Sequence, residues 1–136
     1  MSFGDCETLV NFPIIVLSEK RSRFVMMNPR QSIFRKILVD GCAITDGPRC
    51  DYLVIGPDDA EYFVELKGCD IRHAIQQLET SIQNLGSKIV IIKRFSYIIS
   101  TRCPLQTPKI QELQIHFKRV LKSTLLIKNN NCEIDV

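Results

Sequence analysis

Two stretches with different hydrophobic periods stand side by side in the chain. From Ile71, apolar residues recur at Ile75, Leu78, Ile82 and Leu85, in steps of four, three, four and three. Such steps line up on one side of an α-helix. Asp70 stands where an N-cap belongs, and Gly86 where a closing C′ glycine belongs. Just upstream the period is two. Residues 51–55 (Asp-Tyr-Leu-Val-Ile) and 61–67 (Glu-Tyr-Phe-Val-Glu-Leu-Lys) are rich in β-branched and aromatic side chains, and Gly56-Pro57-Asp58-Asp59-Ala60 separates them. This pattern predicts a hairpin. Alternation puts Phe63, Glu65 and Lys67 on one face and Tyr62, Val64 and Leu66 on the other. If the turn takes all five residues 56–60, Ile55 faces Glu61 and Asp51 faces Glu65. Like charges directly opposite weaken a ladder. The pair therefore points to a divalent cation between the carboxylates, and oxygen ligands suit Mg²⁺ or Mn²⁺.

The remaining pattern is read more coarsely. Apolar runs at 13–17 and 24–27 flank a polar turn and predict two strands. Asn28-Pro29 is an N-cap followed by an N1 proline, which predicts a helix over about 29–39 with Ile33, Phe34, Ile37 and Leu38 on its apolar face. The β-branched residues there also fit a strand across 33–44. A strand beginning at 42–44 and a turn at Asp46-Gly47 lead into the hairpin. Residues 88–93 form a near-continuous apolar run, as in a buried parallel strand, and complete a right-handed βαβ unit. A strand at 95–100 follows. Thr107-Pro108 opens a second helix with Ile110, Leu113, Phe117, Val120 and Leu121 facing inward. Residues 125–128 and 133–136 read as a closing hairpin around the asparagines at 129–131. The fold class is α/β, a mixed central β-sheet flanked by helices, in one domain spanning 1–136.

Composition adds limits. No apolar run approaches the 18 residues of a membrane helix, and the N-terminus has no basic region ahead of an apolar one. A cytoplasmic location is expected. In a reducing compartment the six cysteines read as free thiols. Cys42, Cys50, Cys69 and Cys103 lack the C-x₂-C spacing of a zinc knuckle. The net charge is +3. Lys20, Arg21, Arg23, Arg30, Arg35 and Lys36 cluster with no acid among them, which suits a surface that tracks phosphates. No phosphate-binding G-x-x-x-x-G-K-[ST] loop, G-x-G-x-x-G or G-x-S-x-G occurs, which leaves nucleotide binding and serine hydrolysis without a motif.

Asp51 followed by Glu65-Leu66-Lys67, an amphipathic helix and an apolar strand resembles the PD-(D/E)xK nuclease superfamily, the restriction endonuclease-like and Holliday-junction resolvase-like enzymes. The resemblance covers about residues 29–93. It implies a core of helix, three-stranded meander, helix and strand, with 29–39 as the first helix. It implies Asp51 and Glu65 as metal ligands, Lys67 as the catalytic lysine, and Mg²⁺- or Mn²⁺-dependent hydrolysis of DNA. Some members carry an active-site glutamine on the helix after the motif. Gln77 is the better placed here and Gln76 the alternative, while His73 reads as a solvated histidine. Pro48 lies three residues before Asp51, so the literal Pro-Asp pair is absent. Between Pro29 and Val39 there is no acid, so a third carboxylate would have to be Glu19 or Asp40, and a one-metal site is expected. Specificity would come from loops, a homodimer or a partner subunit. The rival readings are a catalytically inactive nucleic-acid-binding or assembly module on the same fold, and an interaction protein without nucleic acid.

Overall fold

The computed structural model describes residues 2–66, 70–89, 92–101 and 108–136. Its centre is the hairpin of β5 (Tyr52–Ile55) and β6 (Glu61–Leu66), with Ile55 opposite Glu61 and Tyr52 opposite Val64. The five-residue turn closes through Gly56 N to Ala60 O at 2.9 Å, with Asp59 at φ 65°. The expected register and faces are both present. Leu53, Ile55 and Phe63 point to one side, Val54, Val64 and Leu66 to the other.

Around this hairpin runs a six-stranded mixed sheet. It adds β1 (Glu7–Val10), β4 (Phe34–Leu38), β7 (Arg94–Ser100) and β8 (Thr124–Asn129), in the order β1-β4-β5-β6-β7-β8. The pairs from β1 to β6 are antiparallel, and β6-β7-β8 is parallel. Helix α1 (Ile71–Leu85), helix α2 (Pro108–His116) and a π-helical turn at Phe117–Leu121 contribute Ala74, Ile75, Leu78, Ile110, Phe117 and others to the core on one face. A second sheet of β2 (Ile14–Glu19), β3 (Ser22–Met27) and β9 (Asn131–Asp135) covers the other, burying Leu17, Phe24 and Met26 against Val64, Leu66 and Ile99. Among the described residues no helix is long and apolar enough to cross a membrane.

Several expectations fail, each for a local reason. Residues 29–39 hold no helix. The Asn28 side chain instead bonds Phe12 O, Ser32 O and Ser32 N, making a turn in which Gln31 has φ 51°. Phe34 and Ile37 then fall on opposite faces of β4, and Ile33 and Leu38 are exposed. The parallel strand after α1 is β7, not 88–93. Glu61 binds Arg94, which pairs with it in the register, and residues 86–89, 92 and 93 are in no strand, while 90 and 91 lie outside the described residues. Strands β8 and β9 belong to different sheets, so the closing pair is a crossing, turned at Asn130 with φ 60°.

Val120 is 60 % exposed. An i to i+5 turn takes more than four residues, so Leu121 returns to the face of Phe117 and Val120 does not. Gly86 has an extended backbone, not a left-handed one. It is needed for space, since a Cβ would lie 2.6 Å from Ile82 O and 2.9 Å from the Arg94 guanidinium. Cys6 and Cys42 form a disulfide, while Cys50 and Cys132 are free and buried. The disulfide corrects the free-thiol expectation for Cys6 and Cys42 and takes Cys42 out of any zinc set.

Candidate functional site

Asp51 sits at the threshold of β5, held from four directions. Its N–H donates to Val64 O at 3.1 Å, and its carbonyl accepts from Val39 N and Asp40 N. Its Oδ2 accepts from Leu66 N at 2.7 Å. The residues before it are tied to α1, where Gln77 Nε2 donates to Arg49 O at 3.0 Å and Ser81 Oγ accepts from Cys50 N at 2.8 Å. Ser81 in turn donates to Gln77 O. Helix α1 thus sets the position at which the acid enters the sheet.

Glu65 is 6 % exposed and lies, by the hairpin register, opposite Asp51. The two carboxyl groups act on each other's protonation. Glu65 Oε1 is fully buried and has no hydrogen-bond partner among the described residues. Burial, then the charge of Asp51, pushes the Glu65 carboxyl up to about 9. Asp51 is also raised, by burial first, with the Leu66 N–H opposing. At neutral pH the pair therefore retains a proton. Cys50, beside it and fully buried, has its thiol pushed up to about 12 by burial, so it is a core residue and not a nucleophile.

Glu19, at the end of β2, and Asp40, after β4, both add negative potential at Asp51 and Glu65. These are the two acids singled out from the sequence as replacements for a first-helix glutamate. Asp40 is also ion-paired with Arg49 at 2.7 Å. Among the described residues, no three His, Cys, Asp or Glu side chains gather closely enough to hold a metal. Lys67 lies outside the described residues. Gln77 binds the backbone before Asp51 and lines a cavity of about 310 Å³ with His73, Arg49 and Asp40. His73 and Gln76 are exposed.

Comparison with protein-family models, curated proteins and solved structures finds no match to this chain.

The basic cluster of 20–36 is dispersed. Lys20 and Arg21 form the β2–β3 turn next to Glu19, and Arg30 lies beyond the opposite end of β3. Arg35 grips Glu7 through Nε and Nη2, at 3.1 and 2.8 Å. The Lys36 ammonium sits 5.3 Å from the Tyr52 ring centre. Ser81 escaped the sequence reading, although a polar residue on the apolar stripe of α1, three after Leu78, is a visible signal.

Chemically, the pair offers a carboxyl group at the start of β5, a second on β6, one buried lone-pair oxygen, and a retained proton that a cation would displace.

Proposed function

We propose that this chain is a metal-dependent nuclease of the PD-(D/E)xK kind, hydrolysing DNA phosphodiesters at Asp51 and Glu65. The observation that carries the reading is the bare Glu65 Oε1, buried against a second carboxyl group. Such an atom costs stability unless something binds it. A hard divalent cation fits the donor set, with Glu65 Oε1 and the Asp51 carboxylate as its protein oxygens. The sequence of elements supports the reading too: the β4-β5-β6 meander is followed by α1 and by β7 parallel to β6. The position expected for a preceding helix is occupied by the Asn28 turn and β4.

A bound Mg²⁺ or Mn²⁺ supplies an activated water and stabilises negative charge on a phosphate. The chain's own part is to hold Asp51 through Leu66 N and the Val39–Asp40 amides, and to fix that end of the sheet through Gln77 and Ser81. Lys67 is assigned, by the resemblance, to assist the attacking water. Any specificity would come from loops, a homodimer or a partner subunit.

The absence of a third metal-binding side chain among the described residues favours one second reading, a nucleic-acid-binding or assembly module without catalysis. Plasmid nicking in Mg²⁺ or Mn²⁺ separates the two. Wild type should nick, and Lys67→Ala and Glu65→Gln should each lose at least about 100-fold. Wild type that binds DNA without cutting it in either metal supports the second reading.

A further inference from the structure

At the other end of β6, about 13 Å along the strand from Glu65, lies a groove of about 470 Å³ whose lining includes Lys93, Phe95, Lys118, Lys122 and Thr124. Arg94 also lines it, but its guanidinium is taken up by Glu61, Ser87 O and Leu121 O. Among the described residues that line it, none carries a carboxylate. The three lysines are exposed and come from three places in the chain: the connection before β7, the π-helical turn, and its cap. Lys118 Nζ stands 3.3 Å from Thr124 Oγ1. Lys122 caps the turn with φ 55°, and its Nζ donates to Arg119 O. Lysines near the edge strand β8 would deter strand pairing in any protein. That purpose does not call for the aromatic pair beside them. The second sheet fully buries Val64 and Ile99, but Phe95 and Tyr62 are half-buried, their rings stacked with centres 5.3 Å apart.

Ammonium groups without an acid suit phosphate oxygens, and a half-open aromatic stack suits the face of a base. We propose that this groove binds one strand of nucleic acid, with phosphates on Lys93, Lys118 and Lys122 and a base against the Tyr62–Phe95 stack. The proposal rests on the nuclease reading for its choice of nucleic acid among polyanions, but its test does not require cleavage. The strand would cross the molecule at a distance from Asp51 and Glu65, making the groove an anchor and not part of the reacting site.

The test is binding of a labelled oligothymidylate of about 16 nucleotides, without divalent cation, over a salt series. Lys93→Gln/Lys118→Gln/Lys122→Gln should flatten the slope of log affinity against log salt by about 2, near 0.7 per lost phosphate contact. Phe95→Leu should weaken the oligonucleotide about 10-fold and leave inorganic polyphosphate binding unchanged. A wild-type slope in the triple lysine variant overturns the groove. Loss on lysine substitution with no effect of Phe95→Leu, in a variant that melts cooperatively, overturns the nucleic acid and leaves a general anion site. Wild type that binds through the groove but does not nick DNA removes the nuclease reading and keeps this one. Wild type that nicks while the lysine variant binds normally does the reverse.

Discussion

Glu61 and Glu65 stand four residues apart on β6, on the same face, 3 % and 6 % exposed. Their surroundings could hardly differ more. Glu61 Oε1 accepts from Arg94 Nε at 2.7 Å and Oε2 from Ser87 N at 2.9 Å, while Arg94 Nη1 donates to Leu121 O and Nη2 to Ser87 O. Each charge there is matched inside the protein. Glu65 meets another acid and leaves Oε1 bare. A buried carboxylate with a full set of donors locks elements together, here β6, β7, Ser87 and the end of the π-helical turn. One that lacks them makes the fold that holds it less stable.

The contrast can be broken by substitution. The largest effect is expected at the matched end: Arg94→Ala should cost about 3–5 kcal/mol, since it strands Glu61 in the core. Urea unfolding measures it. If Glu65→Gln costs as much, the two glutamates are equivalent and the comparison fails. Reduction of the Cys6–Cys42 bond comes next, at about 2–4 kcal/mol. Cys42 lies close to Val39 and Asp40, whose amides hold Asp51 O. Reduction should therefore speed hydrogen exchange at those amides before it reaches Glu61 and Arg94. Uniform loosening would remove the disulfide's link to the acidic end.

Smaller effects follow at the unmatched end. Glu65→Gln, without divalent cation, should be neutral or stabilising by about 1 kcal/mol near pH 8, because it removes one of two facing acids. The wild-type pair carries the pH dependence. Both carboxyls are raised in the folded state, so folding favours their protonated forms. That contribution is fully present below the ordinary carboxylate value of 4.5 and is lost as pH rises towards about 9. Thermal melts should fall across that range for wild type and less steeply for Glu65→Gln. Equal slopes would show that the pair does not titrate as described. Gln77→Ala, which cuts the tie to Arg49 O, should cost about 1 kcal/mol. It should also weaken metal binding, a readout that loss of packing alone would leave untouched.

The hairpin and the helix after it were legible, because their signals are local. The Gly56–Ala60 turn set the hairpin register, so Asp51 and Glu65 could be placed opposite each other from residue order alone. Helix α1 followed from its period, and Asp70 caps it by accepting from His73 N at 3.2 Å. Legibility failed where one signal serves two structures. Asn28-Pro29 starts helices, yet here Asn28 bridges Phe12 and Ser32 and the chain goes on as β4. It failed again where pairing is distant. Nothing in residues 131–135 announces that β9 will lie parallel to β3, and nothing near Glu61 names Arg94 as its partner. The apolar run at 88–93 outweighed the register that this ion pair imposes.

In the proposed function Asp51 and Glu65 hold a divalent cation. Anomalous diffraction from crystals soaked in Mn²⁺ tests it most directly. The expected result is a peak between the two carboxylates, about 2.1 Å from an oxygen of each, which Glu65→Gln abolishes. Strong anomalous peaks elsewhere, with none between the two carboxyl groups, would contradict it.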